Sequence, residues 1–331
     1  TMEMVQQSKQ VLITAHRSPD GDAIGSSLGM YHFLKQLGVN VKVMVPDDYP
    51  EFLQWMPGND QVMIFDRDPE LAKATIEASD LIFALDYNIL NRTGSMTESL
   101  EQSEAPFILI DHHQQPGGFP EIAFSDTSAC STAQMVFDFI DFSGNSNLVN
   151  AELGTCLYCG IMTDTGSFRF PSVSARTHYI AAKLIEAGVD HAEIHRKVYD
   201  TNLLDRLRLI GYALKDKLEV MPEFHTAIIS LTEEELTRFN YRPGDTESLV
   251  NQALSIHGVN FAIFVREGTN VVKMSFRSQG TFNVNEFARS HFKGGGHTNA
   301  AGGVSYDKVD VTLDKLKKLL PFYREALSYE L

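Results

Sequence analysis

The stretch Val11-Leu12-Ile13-Thr14-Ala15-His16-Arg17-Ser18-Pro19-Asp20-Gly21-Asp22 decides the fold. Its first five residues make a short buried strand, and Pro-Asp-Gly then turns the chain into an apolar helical pattern over 24–37. The alternation recurs downstream. Strands are expected at 39–45, 62–65, 80–85 and 107–110, and helices at 131–142, 151–162 and 175–187, the last closed by Gly188. Strand–helix alternation predicts an α/β, doubly wound, mostly parallel sheet with helices on both faces.

Residues 189–217 read as a charged helical connector without strand signals. Beyond it the pattern changes, with strands at 225–231, 260–265 and 271–276, the last two joined by Glu267-Gly268-Thr269-Asn270. Helices are expected at 233–239, 246–256, 284–292 and 311–326. The organisation is therefore a catalytic domain over 1–188, the connector, and a smaller α/β domain with a mixed sheet over 218–331. Two domains of this kind suggest an active site in the cleft between them.

The formal charge of -15 on 331 residues excludes a broad basic face, so long duplex nucleic acid is not an expected partner. A short RNA or nucleotide held by a local patch remains compatible. Three cysteines, Cys130, Cys156 and Cys159, are too few and uneven for a disulfide framework and suit a reducing, cytoplasmic setting. Cys156 and Cys159 have C-x-x-C spacing but lie in an apolar helix with no second pair to complete a zinc site. No apolar run reaches membrane-span length, so no membrane partner is expected. Homodimerisation is left open.

His16, Asp20 and Asp22 follow the first strand, Asp86 ends the fourth, and Asp111-His112-His113 ends the fifth. In a doubly wound sheet these loops converge outside the carboxyl ends of the strands. Asp164, in Met162-Thr163-Asp164-Thr165-Gly166, follows a helix. Any one of these aspartates could be a cap or turn residue, Asp22 especially. Together, five carboxylates and three imidazoles in one small volume would repel without cations. Mixed ligands of this kind suit Mn²⁺, with Mg²⁺ or Zn²⁺ as alternatives, and an ion pair sharing a carboxylate suits phosphate-ester hydrolysis.

These residues resemble the four motifs of the DHH phosphoesterase superfamily, as His16–Asp22, Asp86, Asp111-His112-His113 and Thr163-Asp164-Thr165-Gly166. Ser275-Phe276-Arg277-Ser278 and Gly294-Gly295-Gly296-His297 resemble the family's DHH-associated C-terminal domain. The length is similar to the branch that hydrolyses nanoRNA and 3′-phosphoadenosine 5′-phosphate. The resemblance implies that His16, Asp20 and Asp86 bind one ion, and that Asp22, Asp86, His112 and Asp164 bind the other, with Asp86 bridging. It implies phosphate contact by His113 and a supporting role for Asp111.

Gly294–Gly296 would let the backbone approach an anion as an N–H concavity, although one glycine there could simply cap the preceding helix. Arg277 offers bidentate phosphate contact. With Ser278 and His297, these residues are the expected substrate holders. Gly25-Ser26-Ser27-Leu28-Gly29 matches G-x-S-x-G, but Ser27 falls inside a helix rather than at its turn, so close helix packing explains it better. His191-Ala192-Glu193-Ile194-His195 lacks the H-E-x-x-H order and reads as a solvated helix.

The expected function is two-metal hydroxide attack on short oligoribonucleotides, 3′-phosphoadenosine 5′-phosphate, or both. Cyclic or linear dinucleotides such as cyclic di-AMP are the alternative substrates. Pyrophosphatase activity and a non-catalytic nucleotide sensor rank lower, the sensor because no ligand is missing.

Overall fold

The computed structural model describes residues 1–328 and divides into two compact units, Thr1–Thr201 and Asn202–Leu331. The first contains α1 (Met2–Gln7), β1 (Val11–Thr14), α2 (Gly21–Gln36), β2 (Val41–Val45), β3 (Val62–Ile64), α3 (Pro69–Glu77), β4 (Leu81–Leu85), α4 (Thr97–Glu101), β5 (Phe107–Asp111), β6 (Ile122–Ser125), α5 (Thr132–Phe142), α6 (Ala151–Asp164), α7 (Ala175–Glu186) and α8 (His191–Tyr199). Its sheet runs β3-β2-β1-β4-β5-β6, and every pairing is parallel. The order reverses between β1 and β4, which makes that point the switch crevice of a doubly wound sheet.

Alternation along the strands builds two cores. Val11 and Ile13 of β1 join Phe83 and Leu85 in the layer under α2, α5, α6 and α7. Leu12 faces the other way, with Ile82, Ala84 and Leu109, under α3 and α4. A residue on each face at full burial contributes about 1.5–3 kcal/mol, which holds the strands in register. The sixth strand, β6, escapes sequence reading because three of its four residues are exposed and its apolar stretch, Ile122–Phe124, is only three residues long.

The second unit contains α9 (Leu204–Asp216), β7 (Leu218–Met221), β8 (Thr226–Leu231), α10 (Glu233–Arg238), α11 (Leu249–Leu254), β9 (Phe261–Gly268), β10 (Val271–Ser278), α12 (Val284–His291), β11 (Lys293–Gly296), β12 (Ala300–Ser305), α13 (Val309–Leu319) and α14 (Arg324–Leu327). Its sheet, β11-β12-β10-β9-β8-β7, is mixed, with β8 and β9 parallel and the other pairs antiparallel. The expected hairpin is β9–β10. Three further strands, β7, β11 and β12, were not expected, β7 because it is only four residues long and β11 and β12 because they are mostly glycine, alanine and small residues.

The stretch read as a connector is two helices with different allegiances. In α8, Ile194 and Val198 are buried in the first unit's core, whereas Leu209 and Ala213 of α9 are buried in the second's. No helix among the described residues is long and apolar enough to cross a membrane.

Candidate metal centre

The switch crevice collects the motif residues. Asp20 caps α2, its Oδ1 accepting the Asp22 and Ala23 amides at 3.0 Å each. This places Asp22 in the helix's first turn, facing the sheet. Asp86 leaves β4 with a φ of 64°, a left-handed conformation that aspartate tolerates better than most residues. Asp111 is the last residue of β5, and Asp164 the last of α6. The ends of α2 and α6 meet because Gly21 has no side chain, a Cβ there falling 2.2 Å from Thr163 Oγ1.

Among the resulting groups are two triads, His16–Asp20–Asp86 and Asp22–His112–Asp164, each with donor atoms within 4.8 Å of one another. Asp86 spans them. Its Oδ2 lies 3.4 Å from His16 Nε2 and its Oδ1 3.6 Å from His112 Nε2. His112 Nε2 also lies 3.6 Å from Asp164 and 3.8 Å from Asp22. His16 Nδ1 is 2.8 Å from the Arg17 carbonyl and His112 Nδ1 is 3.2 Å from that of Ala129. Donation to these carbonyls puts a proton on each Nδ1 and leaves each Nε2, the atom a metal ion would take, facing the carboxylates. Asp111 orients His113, with Oδ1 2.7 Å from the ring Nδ1 and Oδ2 accepting the His113 amide at 3.1 Å.

The electrostatics point to cations. Burial, then the charges of Asp86 and Asp164, push the Asp22 carboxyl well above its ordinary range. Burial and the neighbouring Asp86 raise Asp111 to about 6. Burial also opposes ionisation of Asp86, but its hydrogen bond with His16 and the pull of the three neighbouring imidazoles hold it far below the usual carboxylate range. Burial, reinforced by the positive charge of Arg92, pushes His113 well below its ordinary value and keeps it neutral. Imidazole lone pairs and carboxylates around a shared Asp86 therefore form a donor set that fits divalent cations.

Sequence reasoning missed the groups that hold these ligands. The N-terminus of α5 donates to Asp22 through the amides of Thr132, at 2.6 Å, and Ala133, at 2.8 Å. The Thr132 hydroxyl donates to Asp86 Oδ1 at 3.0 Å. Ser131, the cap of α5, was the visible signal, since a capped helix start is an anion site. Arg92, whose charge reaches His16, Asp111 and His113, was also missed.

In the second unit, Gly294–Gly296 forms part of strand β11 rather than the cap of the preceding helix. The reason is steric, because a Cβ on Gly294 would lie 2.1 Å from the Gly302 carbonyl, so β11 and β12 approach only as glycines. The Gly296 amide donates to Asn285 Oδ1, which also accepts from Arg289. The Arg277 guanidinium donates to its neighbour's carbonyl at Phe276. Ser278 is buried, donating to the Phe282 carbonyl and accepting from Asn299. His297 follows β11 and is partly buried, its amide donating to the Ala300 carbonyl.

The sequence decoys resolve simply. Ser27 lies within α2, and Gly25 and Gly29 bring α2 against α6. The helix of His191 and His195 is packed on the first unit, not freely solvated. There His195 Nε2 meets the Ser167 hydroxyl at 3.0 Å, and Nδ1 is 2.8 Å from the His191 carbonyl. All three cysteines are free and buried.

A doubly wound domain with a carboxylate–imidazole centre at its switch crevice defines the class, a phosphoesterase whose centre could hold metal ions. Residues 10–161 match the N-terminal domain of the DHH family, and 225–328 match the DHHA1 domain. The chain is 32% identical to the bifunctional oligoribonuclease and PAP phosphatase NrnA of Thermus thermophilus, over 96% of this chain and 90% of that one. It belongs to the DHH family. The crystal structure of an exopolyphosphatase-related protein from Bacteroides fragilis superimposes with a TM-score of 0.94 at 40% identity, covering 99% of this chain and 96% of the other. The cyclic-di-AMP phosphodiesterase GdpP of Bacillus subtilis is 28% identical over 98% of this chain, which spans 49% of GdpP.

Proposed function

We propose that this chain hydrolyses short oligoribonucleotides, 3′-phosphoadenosine 5′-phosphate, or both, using two divalent cations, Mn²⁺ by preference and Mg²⁺ as the alternative. The observation that carries the reading is the pair of triads joined through Asp86. His16, Asp20 and Asp86 would hold one ion and Asp22, Asp86, His112 and Asp164 the other. Bound there, the ions supply Lewis acidity and activate water for in-line attack at phosphorus.

The chain's own groups do the rest. The α5 amides fix the orientation of Asp22, and Thr132 fixes that of Asp86, so the ligands need little reorganisation. Asp111 holds the neutral His113 ring by Nδ1, in an orientation suited to contact with a phosphate oxygen. In the second unit, Arg277, the Gly294–Gly296 backbone and His297 would hold the nucleotide. Ser278 would act by fixing the turn to Phe282 and not by touching substrate. Identity with NrnA over nearly the whole chain supports the substrate class.

The likeness to GdpP favours a second reading, a cyclic-dinucleotide phosphodiesterase. A panel with Mn²⁺ separates them: dinucleotide to pentanucleotide RNA, 3′-phosphoadenosine 5′-phosphate, cyclic di-AMP and pyrophosphate at matched concentration. Turnover of the first two classes, lost in Asp86→Asn and His112→Ala, is expected. Preference for cyclic di-AMP would transfer the assignment to the second reading. Tight nucleotide binding without turnover would make the chain a sensor.

A further inference from the structure

Arg92 belongs to no motif, yet its segment is clasped by both histidine-bearing loops. After Asp86 the chain passes Asn88, whose Nδ2 donates at 2.6 Å to the carbonyl of Gln114, the residue after His113. It then enters the 3₁₀ turn Leu90–Met96, where the Arg92 carbonyl accepts the Arg17 amide at 2.8 Å, next to His16. Gly94 makes that approach possible. It adopts a φ of 59°, and a Cβ there would crowd Arg17 Cβ at 3.2 Å. Arg92 is thus anchored by its backbone to the rim of the centre, and its side chain is half-buried.

The guanidinium itself makes no hydrogen bond or ion pair with any described residue, although Asp86, Asp111 and Asp20 crowd the same centre. The other arginines of the first unit behave differently: Arg17 is exposed, Arg169 donates to the Gly166 carbonyl, Arg67 pairs with Asp48, Arg176 with Asp138 and Asp141, and Arg196 with Glu193. A half-buried cation with no structural partner, held beside an anionic centre, is placed for an anion that arrives from outside. Its planar fork suits two phosphate oxygens.

We propose that Arg92 is a substrate-contacting residue that takes the oxygens of a phosphate at the first unit's centre. The proposal rests on the phosphoesterase reading, and the experiment keeps the two apart. Arg92→Gln and Arg92→Lys are compared with the wild type in Mn²⁺. Three quantities are measured: hydrolysis of a trinucleotide RNA, calorimetric affinity for Mn²⁺ alone, and calorimetric affinity of the Mn²⁺-loaded protein for inorganic phosphate.

The expected result for Arg92→Gln is a fall of about 100-fold in kcat/KM. Phosphate binding should weaken by about 10-fold or more, with Mn²⁺ affinity unchanged or tighter because a nearby cation is gone. Lysine should recover part of both losses, and added guanidinium should partly restore Arg92→Gln. Unchanged phosphate binding, or a loss of Mn²⁺ affinity in parallel with activity, would overturn the assignment. If the wild type hydrolyses nothing in the panel, the activity reading falls while the phosphate comparison still decides Arg92.

Discussion

Replacing Gly25 by alanine puts a methyl group 2.6 Å from the Cys156 carbonyl oxygen and 2.8 Å from the Gly160 nitrogen. Both are backbone atoms of α6, so no rotamer change relieves the contact. Restoring a C···O separation of about 3.3 Å requires α2 and α6 to part by roughly 0.7 Å. Overpacking of this kind costs about 1–3 kcal/mol, while alanine returns about 1 kcal/mol of helix propensity. The steric cost wins by up to about 2 kcal/mol, and a first unit of this size should lose up to about 8 °C in Tm. The same parting moves Asp22 on α2 away from Asp164 on α6. Because an ångström of misplacement can cost about 100-fold in rate, kcat/KM should fall by about 10-fold or more. Thermal unfolding with chelator and RNA hydrolysis with Mn²⁺ measure the two effects. Gly211→Ala in α9 is the control, since nothing lies within 4 Å of its Cβ, and it should gain stability. A Gly25→Ala protein with unchanged or higher Tm and full activity would refute the reasoning.

Thr132→Val removes the hydroxyl that donates to Asp86, a hydrogen bond to a charged acceptor worth about 1.5–3 kcal/mol, so Mn²⁺ affinity or kcat/KM should drop by about 10-fold or more. Calorimetry with Mn²⁺ and initial rates would show it. Burial pushes the thiols of Cys130 and Cys159 up to about 12 and raises Cys156 as well, so iodoacetamide at pH 8 should label none of them until denaturant is added, as read by mass spectrometry. In metal-free protein, Asp111 is raised to about 6, chiefly by burial and then by Asp86, against about 3.9 unfolded. Between those values the folded state binds more protons than the unfolded state. This group's contribution to stability therefore declines from pH 4 to 6, by on the order of 3 kcal/mol, and levels off above. Denaturant titrations of chelated wild type and Asp111→Asn should show the slope reduced in the variant; an equal or steeper slope would contradict the assignment.

The crevice was legible because its residues sit where the chain leaves predicted strands. His16 follows β1, Asp86 follows β4 and Asp111 ends β5, and apolar runs made those strands visible. Strands without apolar alternation were not legible. In β6 three of the four residues are exposed and the apolar stretch is short, and β11 and β12 are written in glycine and alanine, where the pairing depends on absent side chains. The glycines at 294–296 also form half of a close strand pair, which their composition alone did not announce. The boundary at Thr201 was hidden too, because α8 and α9 both show helical periodicity and differ only in which core receives their apolar face.

By itself the sequence determined the doubly wound fold, the order of the ligand-bearing loops and the residue types that could hold cations. These follow from hydrophobic period and side-chain chemistry, both written locally. Only the tertiary structure decided how the ligands are held and which cation stands beside them. Asp22 is gripped by the backbone amides of Thr132 and Ala133, 110 and 111 residues away, and the Arg17 amide brings Arg92 to the rim. Every non-proline residue carries the same amide, so such a contact leaves no mark in the sequence until packing chooses which amide arrives.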